Sequence, residues 1–214
     1  MIILASGSPR RRELLTSLGV PFIVMKSDID ETQRPGEAPI AYARRLSREK
    51  AAAIAARLPA GEASAGTIEA VLAADTVVIL AADTIGDLDG EVLGKPGDAA
   101  EARAMLERLR DQPHVVCTAL TLLPCRHADD GTLITGEPQT EITLTRVFMR
   151  RYSDAEIDAY IATGDPFDKA GGYAIQHPGF APVERIEGSH SNVIGLPMET
   201  LQRMLAGLPG ENER

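Results

Sequence analysis

The chain has 214 residues, enough for one full-sized core and too few for two independent domains of ordinary size. Aromatics make up 4% and Trp is absent, so aliphatic side chains and alanine must fill the interior, as in an α/β protein whose helices pack closely on a sheet. A formal net charge of −9 argues against a broad nucleic-acid or anionic-membrane surface, so an anionic ligand must meet a local cationic cluster or a metal.

Met1 to Ala5 reads as a buried strand that turns through Ser6-Gly7-Ser8 into a helix opening with Pro9, Arg10, Arg11 and Arg12. Pro suits the first helical position, and Ser8 before it can cap the free backbone donors. The same donors and the helix dipole attract anions, so the turn is either a polyphosphate cradle or a basic surface turn. Leu14, Leu15 and Leu18 share one face of this helix, which ends at Gly19; Pro21 to Met25 is a second strand, followed by the acidic Ser27 to Glu31. The apolar start is too short for a signal segment, its arginines follow it, and no stretch approaches a membrane span, so a cytoplasmic location is expected.

A long helix is predicted from Pro39 to Leu58, with Ala43, Leu46 and Ile54 on its apolar stripe. Lys50 lies four residues from each of the last two, on that stripe, where it either snorkels to the surface or reaches into a site. Gly61 to Gly66 reads as a loop. Ala70 to Leu80 is the most hydrophobic strand, interrupted by Asp75, whose carboxylate needs a metal ion, a cation such as Lys50 or Lys95, or solvent at a strand end. Leu-Ala-Ala-Asp-Thr occurs twice, at 72–76 and 80–84. Asp75 precedes Val77-Val78-Ile79 and is taken as the site residue; Asp83 precedes Ile85 to Gly90, an expected exposed hairpin end, and is read as loop.

Glu91 to Leu93 returns as the partner strand, Gly94-Lys95-Pro96 closes it, and a helix follows from Asp98 to Leu109. Strands are expected at His114 to Leu123 and Thr140 to Phe148, with a polar loop between them. Ser153-Asp-Ala-Glu156 is a capping box opening a helix that ends at Gly164. Asp165 to Gln176 is polar and Gly-rich, Phe180 to Ile186 reads as a strand, and Gly188 to Leu196 as a loop. Pro197 opens a terminal helix with Met198, Leu201, Leu205 and Leu208 on one face, and the tail from Gly210 is expected to fray. Cys117 and Cys125 stand in neither metal-type nor redox spacing, and no disulfide framework is implied.

Ser6 to Arg12, Asp30-Glu31, Lys50, Asp75-Thr76, Lys95, Asp168-Lys169 and Gln176 are polar positions that a simple core does not require. Mg²⁺ uses one or two carboxylates plus substrate phosphates, so Glu31 and Asp75 are a sufficient inventory. The histidines are scattered, which gives no zinc spacing, and no G-x-S-x-G elbow supports a serine hydrolase.

Seven motifs run in order along nearly the whole chain: Ala5-Ser-Gly-Ser-Pro-Arg-Arg11 with Glu13-Leu-Leu15, Ile29-Asp-Glu31, Arg48-Glu-Lys-Ala51, Ala74-Asp-Thr-Val77, Gly94-Lys-Pro96, Asp168-Lys-Ala-Gly-Gly-Tyr173 with Ile175-Gln176, and Asn192-Val-Ile-Gly-Leu-Pro197. In these the chain resembles the Maf family of nucleoside triphosphate pyrophosphatases, related in fold to the inosine-triphosphate type. The resemblance implies an α/β fold with a mixed, twisted sheet flanked by helices, forming one domain over 1–214 with two lobes around a central cleft. It implies hydrolysis of a nucleoside triphosphate to monophosphate and pyrophosphate with Mg²⁺ or Mn²⁺, in a homodimer, with no nucleic-acid or membrane partner.

By the same resemblance, Asp75 is the proton acceptor and binds metal with Glu31, while Lys50 and Lys95 offset phosphate charge. Ser6, Ser8, Arg11, Arg12, Asp168 and Lys169 contact substrate. Arg11, Thr76 and Gln176 match the branch acting on dTTP and UTP; a 7-methyl-GTP or inosine-triphosphate preference, or a nucleotide-binding role in septum formation, is the alternative. The chain departs from the pattern by an extra stretch near Ala81 to Leu88, by Asp111-Gln112-Pro113 where Ser-Gly is usual, and by Ser191 where Tyr is frequent.

Overall fold

The structure, a computed structural model, describes residues 1–58, 76–128 and 133–208. Among them, eight strands form one mixed sheet in the order β2-β1-β3-β5-β7-β8, with β4 paired to β3 and β6 to β5. These are β1 (Ile2–Leu4), β2 (Phe22–Val24), β3 (Thr76–Leu88), β4 (Glu91–Leu93), β5 (Pro113–His127), β6 (Leu133–Thr135), β7 (Gln139–Met149) and β8 (Val183–Glu187). β1 runs parallel to both β2 and β3, with Leu4 opposite Leu80, and every other pairing is antiparallel. The helices are α1 (Pro9–Thr16), α2 (Pro39–Arg57), α3 (Ala99–Leu109), α4 (Asp154–Ala162), α5 (His190–Ile194) and α6 (Met198–Ala206). Among the described residues no helix is long and apolar enough to cross a membrane.

Alternation along β1 and β3 assigns each residue to a layer. Ile3, Val77, Ile79 and Ala81 pack against Ala51 and Ile54 of α2. Ile2, Leu4, Val78, Leu80 and Ala82 pack on the opposite side against Leu15 of α1 and Leu201 and Met204 of α6. Covering both faces explains why Val77 to Ala82 is a continuous apolar run. A further cluster joins Leu106 and Leu109 of α3, Ile157 and Tyr160 of α4, Val147 and Phe180.

The expected helices over 39–58, 98–109 and 153–164 are present, and α4 opens with both halves of its capping box: Ser153 N donates to Glu156 (2.8 Å) and Glu156 N to Ser153 Oγ (3.3 Å). Three expectations change. β3 continues to Leu88, so Asp83 is a strand residue 5% exposed and not a loop residue; the hairpin tip is Asp89-Gly90, with φ of 54° and 87°. Ala81 to Leu88 is therefore the continuation of the central strand, held to β5 as far as Asp87, and not an extra stretch outside it. Within the predicted loop 188–196 lies α5, a single turn capped by Ser189 and ended by Gly195, too short to show periodicity. The predicted loop at 61–66, the predicted strand start at Ala70, Asp75 and the terminal tail lie outside the described residues.

Asp165 to Gln176 folds back over the sheet as two 3₁₀ turns, Asp165–Asp168 and Ala170–Gly172. Gly171 N donates to Gly94 O (2.9 Å), and Tyr173 Oη lies 2.8 Å from His114 Nε2 on β5. His114 is 3% exposed, and burial pushes its pKa down to about 4. The unfolded imidazole titrates near 6.5, so between that value and about 4 the unfolded chain binds the extra proton and stability rises with pH. In urea unfolding, the stability advantage of the unmodified chain over His114→Gln is expected to shrink by roughly 2–3 kcal/mol between pH 7 and pH 4.5. A gap that stays constant over that range contradicts this assignment.

Candidate active site

At the carboxyl end of β1 the chain turns through Ser6-Gly7-Ser8 into α1. Ser8 is the N-cap, accepting from Arg11 N (3.4 Å), and Pro9 takes the first helical position. Arg11 in that first turn is directed inward, and each nitrogen of its planar fork is engaged: Nε donates to Gly195 O (2.8 Å), Nη1 to Ser6 Oγ (3.1 Å) and Nη2 to Thr84 Oγ1 (3.0 Å), three of its five N–H groups. Gly195 permits this close approach, since its φ is 119° and a Cβ there would stand 3.4 Å from Thr84 Oγ1 and 3.6 Å from Arg11 Nε. Burial lowers the Arg11 pKa, partly offset by Asp83 and Glu31. Arg10 faces Asp168 at 3.7 Å, whereas Arg12 is exposed, because successive helical residues point about 100° apart.

On the α2 side of the sheet, Lys50 emerges from the apolar stripe of its helix and stays buried, 6% exposed. Its ammonium lies 2.6 Å from Asp83 Oδ1 and 2.9 Å from Glu31 Oε1. Asp83 follows Val77, Ile79 and Ala81 in the alternation, which carries it to this face; Thr84 takes the other face and meets Arg11. Glu31 is half-exposed on a loop pinned to α2, where Tyr42 Oη donates to Glu31 O (2.6 Å) and Arg45 Nη2 to Thr32 O (3.1 Å). Burial alone would raise the Glu31 pKa, but the hydrogen bond and charge of Lys50, with Lys95 and Arg11, bring it below its ordinary value.

Two cavities adjoin across the Arg11–Thr84 pair, sharing Ser8, Arg10, Arg11, Thr84, Lys95 and Asp168. One, of about 520 Å³, is polar and lined by Ser6, Gly7, Lys26, Glu31, Lys50 and Asp83, a size within the usual ligand range. The other, of about 140 Å³, is walled by Ile85, Val116, Val193 and Ile194, with Tyr173 and Gln176. Lys95 is exposed and makes no hydrogen bond or ion pair among the described residues, so its charge is available to a ligand.

Ser6, Ser8, Glu31, Lys50, Lys95, Arg11, Asp168, Lys169 and Gln176 all line these cavities, and Arg12 lines neither. Lys169 is buried and engaged by Asp165 O (2.5 Å) and Asp168 Oδ1 (2.5 Å), so it fixes the 3₁₀ turns. Asp75 lies outside the described residues. Thr76 begins β3, eight positions and about 26 Å of strand from Thr84. The residues missed in the sequence are Asp83 and Thr84, from the second copy of the pentapeptide. Asp83 takes Lys50 as its cationic partner, and Thr84 meets Arg11.

Lys50 is the counter-ion for a buried carboxylate, so Lys50→Met is expected to lower the unfolding free energy in urea by about 3 kcal/mol, with part recovered when Asp83→Asn is combined with it. A Lys50→Met protein as stable as the unmodified chain contradicts the pairing.

Residues 1–208 match the protein family described as Maf-like protein. A dTTP/UTP pyrophosphatase of Geobacter metallireducens is 45% identical over 197 residues, covering 92% of this chain and 90% of its own. The protein of the same name from Myxococcus xanthus is 46% identical over 211 residues, covering 98% and 94% respectively. Among solved structures, a nucleoside-triphosphatase described as a dITP/XTP pyrophosphatase, from Mycobacterium abscessus, aligns over 97% of each chain with a TM-score of 0.41 and 15% identity, a similarity too low to bear on chemistry. With a match that spans almost its whole length, the chain belongs to the Maf-like protein family.

Proposed function

We propose that this protein hydrolyses dTTP and UTP to the nucleoside monophosphate and pyrophosphate. The observation that carries the reading is Asp83, held by Lys50 beside Glu31 in a polar cavity that adjoins, across Arg11 and Thr84, a smaller one with an apolar wall. Relatives 42–46% identical over most of the chain bear the name dTTP/UTP pyrophosphatase. In this reading the triphosphate takes the polar cavity and the base the smaller one, against its apolar wall, where the Gln176 amide can donate and accept at the edge of a pyrimidine ring.

Asp83 is the proton acceptor in this reading. Its carboxylate orients a water and takes its proton as the water oxygen bonds to phosphorus. The anhydride bond between the α and β phosphates breaks, and pyrophosphate leaves with the electron pair. Lys50 holds Asp83 in place. Lys95, Lys26 and the Arg-rich turn offset charge on the departing phosphates.

The residues present fit a divalent ion. Among the described residues no group of three or more His, Cys, Asp or Glu side chains could hold a metal alone, but Glu31 and Asp83 converge on one ammonium, and Mg²⁺ needs only one or two carboxylates when phosphates complete its shell. A bound Mg²⁺ or Mn²⁺ would polarise phosphoryl oxygens and neutralise their charge.

A panel of dTTP, UTP, 7-methyl-GTP and ITP with product identification tests the reading. Monophosphate and pyrophosphate should appear fastest from dTTP and UTP, stop on chelation, and return with Mg²⁺ or Mn²⁺. Faster turnover of 7-methyl-GTP or ITP, or release of a nucleoside diphosphate, would overturn it.

A further inference from the structure

Lys50 Nζ stands between the two carboxylates offered to a divalent ion, 2.6 Å from Asp83 Oδ1 and 2.9 Å from Glu31 Oε1. An ammonium only donates, so both oxygens accept from the same nitrogen. The side chain is held there. It leaves the face of α2 that buries Leu46, Ala51 and Ile54 and is itself buried, so an ammonium turned away from the acids would lose both partners without gaining water.

The rest of the polar cavity also opposes a lone dication. Its other charged lining residues are Arg10, Arg11, Lys26 and Lys95 against Asp28 and Asp168, and Asp168 is already engaged by Lys169 Nζ at 2.5 Å and faced by Arg10 at 3.7 Å. A free Mg²⁺ or Mn²⁺ would meet these cations and would have to displace a tethered ammonium that competes at high effective concentration. The metal complex of a triphosphate is in the opposite position: it carries net negative charge, brings phosphate oxygens as ligands, and is attracted by the same cations.

We propose that Lys50 is a placeholder cation that keeps a free divalent ion off Asp83 and Glu31, so that the metal enters only as its complex with the nucleoside triphosphate. Metal and nucleotide then bind as a coupled pair, each raising the affinity for the other by the same factor. Between turnovers a bare ion would occupy Asp83, the proton acceptor of the reaction, and the ammonium keeps that carboxylate clear of it. The inference rests on the triphosphate reading and on Glu31 and Asp83 as the acids that meet the ion.

Equilibrium dialysis against Mn²⁺ tests it, with and without a UTP analogue whose α and β phosphates are joined by an imido bridge that resists hydrolysis. The analogue crosses the dialysis barrier, so excess Mn²⁺ on the protein side is bound to protein. At the Mn²⁺ concentration that saturates UTP hydrolysis, the unmodified protein should hold about one ion per chain with the analogue and less than about a tenth of that without it. Lys50→Met and Lys50→Gln, each checked for folding by thermal unfolding, should bind Mn²⁺ without nucleotide at least about tenfold more tightly than the unmodified protein, and Mn²⁺ should raise their unfolding temperature. Lys26→Met, which removes a cavity cation bonded to neither acid, should show no such gain. If neither Lys50 variant folds, the unmodified protein with and without the analogue decides. Equal Mn²⁺ binding in those two conditions, no excess Mn²⁺ with the analogue, folded Lys50 variants that bind no more than the unmodified protein, or an equal gain in Lys26→Met overturns the inference alone. If UTP is not hydrolysed at all, the reading beneath it fails, and the inference with it.

Discussion

The structure depends on where one ammonium group is allowed to be. Lys50 sits on the apolar stripe of α2, between Leu46 and Ile54, and its charge cannot remain buried without a partner. Asp83 and Glu31 meet that demand from opposite directions, one from the central strand and one from the loop after β2. Breaking such a buried arrangement on one side is costly, while the pair itself adds little net stability, so its value here is in specifying geometry. It fixes the height of β3 against α2 and presents two carboxylates at the edge where the Ser6-Gly7-Ser8 turn begins.

From that anchor the rest follows by strand alternation. Asp83 and Thr84 are neighbours in sequence and face opposite layers, so one dipeptide serves both cavities: the carboxylate joins Lys50 under α2, and the hydroxyl joins Arg11 and the backbone of Gly195 across the sheet. Arg11, with three of its five N–H donors committed to Ser6, Thr84 and Gly195, is a strut between α1, β3 and α5. Lys95 and Lys26 also line the polar cavity, and in the proposed reaction they share the phosphate charge with the Arg-rich turn.

Much of this was legible in the chain. Ser8 and Pro9 announce the start of α1 and the Ser153–Glu156 box announces α4, while the placement of Lys50 on an apolar stripe leaves open a surface or a site position, and the structure shows it buried. Of the two copies of Leu-Ala-Ala-Asp-Thr, the Val77-Val78-Ile79 run after Asp75 favours the first in the sequence, whereas the structure puts Asp83 of the second in the central strand beside Lys50. In a parallel pair, loops and ligands gather at the carboxyl ends of the strands. β1 ends into the Ser6–Ser8 turn, so its neighbour β3 must bring its carboxylate from the end of the apolar run, which is Asp83, and not from its start. The eight-residue offset between the copies also accounts for the apparent insertion at 81–88. The α5 turn was hidden for another reason: five residues are too few to display a helical period.

The most direct measurement of the central claim is the steady-state hydrolysis of UTP by two single variants, Asp83→Asn and Asp75→Asn, each verified as folded. If Asp83 is the proton acceptor held by Lys50, Asp83→Asn should lower kcat by about a hundredfold or more, while Asp75→Asn stays within about twofold of the unmodified protein. Near-normal turnover by Asp83→Asn, or a comparable loss in Asp75→Asn, would contradict it.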